Sequence, residues 1–219
     1  MVKVNGILIS NDGNEEEGVN NTDDGIRVTT GTFNNDGNIR IDGSGSEDIE
    51  VNLTGTFTNT ANATFAPGSS PGDLEIRNVF DLGSSTVTFE INGLTPGTEF
   101  DQILNANGTG ITSTLTITNA KLHLDWGSYT PTVGDTFKIV DGSGPVSGTF
   151  ASVTNSNSDI VYTIDYSSNT SEVKIEVTAI NSTWTGNTDT DWTKASNWST
   201  IVPTATTDVT IPSGLSNYP

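Results

Sequence analysis

The chain holds one histidine and no cysteine, which narrows its nucleophilic and acid–base chemistry before any fold is considered. His123 sits in Leu122-His123-Leu124, where alternation turns it outward from the apolar face. No Ser-His-Asp partner set is evident around it, and the lack of cysteine removes disulfides, thiolate metal sites and cysteine nucleophiles together. What remains is carboxylate chemistry. A polysaccharide lyase needs a basic residue beside metal-binding acids, and the candidates are Arg27, Arg40 and Arg77 near Asp36 or Asp42. Their spacing does not separate them from exposed strand residues. A glycosidase pair carries no signal either, because 27 acidic residues always offer some pair at a suitable separation. The expectation is that the protein is not an enzyme.

Calcium is the one cofactor to weigh, since it takes hard oxygen ligands from tight turns. The acidic turns Asn11-Asp12-Gly13-Asn14-Glu15, Asp23-Asp24 and Asp189-Thr190-Asp191 make Asp12, Asp23, Asp24, Asp189 and Asp191 candidate metal ligands. Neither the EF-hand spacing nor the nonapeptide calcium repeat is present, so weak binding at most is expected. Trp184, Trp192 and Trp198 are the candidate ligand-binding residues, because clustered aromatic planes can stack on sugar rings. The competing expectation is that they plug a solenoid end or form the core of a small module. In Thr114-Leu115-Thr116-Ile117-Thr118 the threonines share one face, as in flat ice-binding solenoids, but Thr-x-Thr is not expected to recur in register along the coils.

Charge restricts the partners. Eight basic residues against 27 acidic ones leave a net charge of −19, which repels phosphate backbones and anionic bilayers. Nucleic acid is therefore excluded as a partner, and no apolar stretch approaches the length of a membrane-spanning helix. Met1-Val2-Lys3-Val4 runs into Asn5-Gly6 without the apolar core of a signal peptide, and the pattern breaks off at Asn217-Tyr218-Pro219. The chain is accordingly expected to be an excised piece of a longer protein.

The elements that would position these residues are short strands. Thr, Asn, Ser and Gly make up close to half of the 219 residues, which suits many strands separated by many turns. Gly31-Thr32-Phe33-Asn34-Asn35 recurs as Gly55-Thr56-Phe57-Thr58-Asn59, a shift of 24, and Asn11-Asp12-Gly13 stands 24 before Asn35-Asp36-Gly37. The triplets Ile26-Arg27-Val28, Ile49-Glu50-Val51 and Leu74-Glu75-Ile76 are spaced by 23 and then 25. A repeat of this length, built from alternating strands, is about one coil of a β-solenoid. Stacking predicts one inward column of Ile26, Ile49 and Leu74 and another of Val28, Val51 and Ile76. Arg27, Glu50 and Glu75 would then line up facing solvent.

Beyond Phe65 the strands lengthen: Val87–Ile91, Leu115–Ile117, Leu122–Leu124, Phe137–Val140, Tyr162–Ile164 and Val173–Val177 all alternate. Ala66-Pro67-Gly68-Ser69-Ser70-Pro71-Gly72 is followed by Phe89-Glu90-Ile91-Asn92-Gly93 and Phe100-Asp101-Gln102-Ile103. Gly134-Asp135-Thr136-Phe137-Lys138-Ile139-Val140 and Val146-Ser147-Gly148-Thr149-Phe150 come next in order. Over roughly residues 63–178 this series resembles the distal part of bacterial autotransporter-type passenger regions. The resemblance implies a parallel β-helix displayed at a Gram-negative cell surface, although no translocator barrel is present. Trp184-Thr185-Gly186, Asp191-Trp192, Asn197-Trp198 and Val202-Pro203 are similar to a Trp-rich module repeated in large secreted proteins of Bacteroidetes-like bacteria.

The sequence thus predicts an all-β, right-handed parallel β-helix (β-solenoid) over residues 1–181, its repeat of about 24 residues clearest in 1–80. A small C-terminal β cap or truncated module is predicted over 182–219. The expected role is a non-enzymatic structural or adhesive segment of an exported bacterial surface protein, meeting a host, matrix or glycan surface without inserting in a membrane. The alternative is a carbohydrate-binding or polysaccharide-degrading β-helix module.

Overall fold

The computed structural model describes residues 2–4, 7–10, 24–35, 38–41, 47–67, 71–106, 113–166 and 170–219. Side chains are described from Asn59 onward, apart from Arg77, Asn78 and Ala106. The first strands are β1 (Val2–Val4), β2 (Ile7–Ser10), β3 (Asp24–Asn35), β4 (Asn38–Ile41), β5 (Glu47–Asn59) and β6 (Thr64–Ala66). There follow β7 (Asp73–Asp81), β8 (Thr86–Glu90), β9 (Gln102–Ala106), β10 (Thr114–Thr116), β11 (Lys121–Asp125) and β12 (Thr136–Gly142). The last are β13 (Val146–Ser147), β14 (Ser152–Asn155), β15 (Ile160–Asp165), β16 (Val173–Thr183) and β17 (Thr207–Thr210), with a single 3-10 turn at Ala195–Asn197.

These strands wind into a β-solenoid of about four turns. β1, β3, β5, β7, β9 and β12 form one parallel ladder. β2, β4, β6, β8, β11 and β14 form a second. The C-terminal part of β7 starts a short third ladder with β10 and β13. Alternation within each strand explains the winding, because every second residue has an apolar interior to enter. Phe65, Val87 and Leu122 stack on successive rungs of the second ladder, and Leu74, Ile103 and Val140 on the first. All six are essentially inaccessible to solvent, and burial of each such side chain is worth about 1.5–3 kcal/mol.

Both early repeat spacings are real. Ile26, Arg27 and Val28 lie beside Ile49, Glu50 and Val51, whereas Thr30 through Asn35 lie beside Thr54 through Asn59. A bulge after Val28 and Val51 inserts one extra residue into β5 and converts the first register into the second. The spacing of 24 does not extend to the first coil, where Val2 pairs with Phe33 and Ile7 with Asn38.

The third triplet also pairs differently from the expectation. Ile49 stands beside Ile76, not Leu74, and Leu74 stands beside Ile103. Glu50 accordingly meets Arg77 in place of Glu75, so the charged positions run basic, acidic, basic from Arg27 to Arg77. A shift of two keeps every side chain on its own face, so alternation cannot distinguish the two registers. Leu74 and Ile76 are both buried; the side chains of Ile26 and Ile49 lie outside the described residues. Thr-x-Thr does recur once in register, with Thr30 beside Thr54 and Thr32 beside Thr56. Further along, Thr114 and Thr116 of β10 meet Val79 and Asp81.

The parallel winding stops at residue 160. β16 runs antiparallel to β12, β15 antiparallel to β16, and this hairpin covers the edge that β12 would otherwise leave open. Under it Phe137 takes the edges of Phe100 and Trp126, with ring centroids 5.5 Å apart in each pair. Trp126 is therefore the tryptophan that fills the closed end. The second half of β16 then pairs in parallel with β17, Ile180 beside Thr207, so the expected boundary at 181/182 falls inside a continuous strand.

Candidate functional site

The C-terminal segment builds its own small core. Trp184 leaves the end of β16, Trp198 follows the 3-10 turn, and the two pair as an isolated antiparallel bridge. Trp184 meets Trp198 edge-on at 5.0 Å, Trp192 meets Trp198 edge-on at 4.6 Å, and Trp192 lies nearly parallel to Trp184 at 6.3 Å. The indole N–H of Trp184 donates to the Asn217 carbonyl and that of Trp198 to the Trp192 carbonyl, both at 2.8 Å. Trp184 and Trp198 are buried, with both polar handles used internally, so neither offers a ring face to a ligand. Of the three candidate ligand-binding tryptophans only Trp192 is open, at 38 % exposure.

Asn197 organises the loop carrying Trp192. Its Oδ1 accepts the N–H groups of Thr188 and Asp189, while its Nδ2 donates to Asp189 Oδ1 and the Asp191 carbonyl. It is wholly buried, and each hydrogen-bonding position of its amide is filled. Sequence reasoning missed this role, although an Asn beside a tryptophan in a turn-rich stretch was the available signal. Lys194 Nζ closes on Asp189 Oδ2 at 2.7 Å. The hydrogen bonds from Lys194 and then Asn197 lower the Asp189 carboxyl to about 2.

That arrangement bears on the metal candidates. Both Asp189 oxygens are engaged, one by the Lys194 ammonium, and Asp191 Oδ1 caps the N–H and hydroxyl of Thr193. The Lys194 cation stands where a calcium ion would have to compete. Asp12 and Asp23 lie outside the described residues; Asp24 begins β3 beside Glu47, its side chain undescribed. Among the described residues no three acidic or histidine side chains gather as a metal-holding group.

His123 faces outward as expected, half-buried, with Nδ1 2.9 Å from Thr154 Oγ1 on the next rung. Of the lyase candidates, Asp36 and Asp42 lie outside the described residues. Arg27 and Arg77 flank Glu50 on the first ladder, whereas Arg40 is on the second beside Ala66, so the three arginines do not share a ladder. The rungs do bring Glu90 beside Asp125, an acid pair that no sequence spacing singles out. One oxygen of Asp125 accepts the Gly127 N–H.

Asp101, quoted only for its place in a motif, is a buried carboxylate. Its Oδ1 accepts the Gly72 N–H at 2.8 Å and its Oδ2 the Glu90 N–H at 2.7 Å, joining the start of β7 to the end of β8. Asn105 stands beside Ile76 on the next rung, wholly buried, and its amide donates to the Gly144 carbonyl at 2.9 Å. Tyr129 donates to Asp135, and burial, reinforced by that carboxylate, pushes its hydroxyl up to about 12. These polar groups bind strands and turns together.

The fold defines the class: an all-β protein built as a parallel-stranded β-solenoid closed by an antiparallel hairpin. Comparison with protein-family models, with curated proteins and with solved structures returns no match. Among the described residues no helix is long and apolar enough to cross a membrane.

Proposed function

We propose that this chain is a structural and adhesive segment of an exported bacterial cell-surface protein, holding and displaying and performing no turnover. The observation that supports this most is the continuity of the first ladder, in which six parallel strands from β1 to β12 lead into an antiparallel hairpin that covers the last rung. Such a stack transmits load through backbone hydrogen bonds on every rung, and the hairpin blunts one edge against further strand addition. The buried polar residues serve the same end, since Asp101, Gln102 and Asn105 each hold backbone groups of a neighbouring coil. The resemblance of residues 63–178 to autotransporter-type passengers supports a location outside a Gram-negative cell, with a host, matrix or glycan surface as the partner.

The test has two arms. Beads coated with the purified protein should adhere to matrix- or glycan-coated surfaces, and a panel of polysaccharides, peptides and esters should be recovered uncleaved. Cleavage that survives repurification and vanishes in Glu90→Gln would refute the scaffold reading in favour of a degrading module.

A further inference from the structure

Trp192 packs against two core residues while remaining 38 % exposed to solvent. Its ring lies at 16° to Trp184 and at 76° to Trp198, both of them buried. Its carbonyl is tied to the Trp198 indole N–H. On either side the chain is fixed by the Asp191 cap on Thr193 and by the Asp189–Lys194 and Asp189–Asn197 contacts. An aromatic surface ordered in advance loses little conformational freedom when a ligand settles on it.

Two polar atoms, one on Trp192 and one on the residue before it, are unused among the described residues. Trp192 Nε1 donates to no protein group, and Asp191 Oδ2 accepts from none, Oδ1 carrying both bonds to Thr193. A partly exposed indole with one spare donor and one spare acceptor on consecutive residues suits a pyranose. The sugar's C–H face packs on the ring while its hydroxyls both give and receive hydrogen bonds. We infer that Trp192 is the platform of a glycan-binding site, with Asp191 orienting the sugar and Trp184 and Trp198 acting as positioning residues. Net charge of −19 and the neighbouring Asp189 and Asp191 select neutral sugars over uronates or sulfated chains. The inference rests on the adhesive reading and names the chemistry of its partner.

Tryptophan fluorescence and calorimetry on the whole chain, titrated with cellohexaose, chitohexaose, mannohexaose and a hexagalacturonate, provide the test. A neutral hexasaccharide should bind saturably and the hexagalacturonate should not. Trp192→Ala should weaken binding about tenfold or more, equivalent to about 1.4 kcal/mol, with Trp192→Leu as the variant that retains apolar packing. Asp191→Asn, which keeps the Oδ1 cap, should weaken it about threefold. Absence of binding by all neutral sugars, or binding unchanged in both Trp192 variants, overturns the site. Bead adhesion by a protein that binds no neutral sugar, in the wild type or in those variants, would sink the site and leave the adhesive reading standing. Turnover of a bound sugar would instead sink the scaffold and leave the site.

Discussion

Asp101 and Glu90 hold each other reciprocally: the Asp101 N–H donates to the Glu90 carbonyl at 2.9 Å, and the Asp101 carboxylate accepts the Glu90 N–H at 2.7 Å. The second carboxylate oxygen reaches back to Gly72, so one side chain sets both where β7 begins and where β8 ends. Asp101→Ala leaves two backbone donors without their acceptor in a buried setting. It should cost about 2–5 kcal/mol, read as a lower denaturation midpoint with the slope unchanged. Asp101→Asn, which offers a donor where an acceptor is needed, should also destabilise. A wild-type midpoint in both variants would show that the pair holds nothing.

The pairing of Glu50 with Arg77 can be tested covalently, because the chain has no cysteine of its own. Glu50→Cys with Arg77→Cys places two thiols on adjacent rungs about 4.8 Å apart, within reach of a disulfide. Glu50→Cys with Glu75→Cys sets them two residues out of register. Oxidation should cross-link the first pair, read by mass spectrometry under non-reducing conditions. Preferential cross-linking of the second would restore the register suggested by the triplet spacing.

Acid should loosen the Trp192 loop before the solenoid. The Asp189 carboxyl is held at about 2 by its bonds to Lys194 and Asn197, below its ordinary 3.8. A lowered acid contributes stability that is present above its unfolded value and lost as pH falls through the folded one. The fluorescence of Trp192 and Trp198 should therefore change between about pH 4 and pH 2, and Lys194→Ala should move that change to higher pH. A flat profile across this window would rule out the ion pair as the loop's fastener.

Millimolar calcium added to chelated protein should shift the melting temperature little. At the one candidate turn with described side chains, Lys194 already occupies the Asp189 oxygen that calcium would need. A saturable rise with a micromolar midpoint would reveal a formed site and overturn this expectation.

Solenoid winding, most strand positions and the outward face of His123 were legible in the sequence, because alternation and the spacings of 23 and 24 are local properties of the chain. The bulge was implicit there too, since two spacings one residue apart cannot both hold without it. The pairing of Ile49 with Ile76 was not, because a shift of two preserves every face and alternation alone cannot choose between the registers. The candidate site divides in the same way. Composition marked Trp184, Trp192 and Trp198 as a cluster, but three identical residue types carry no sign of which will be buried. Folding around Asn197 turns Trp184 and Trp198 into core and leaves Trp192 at the surface. Burial depends on neighbours brought together from distant parts of the chain, and those neighbours exist only in the tertiary structure.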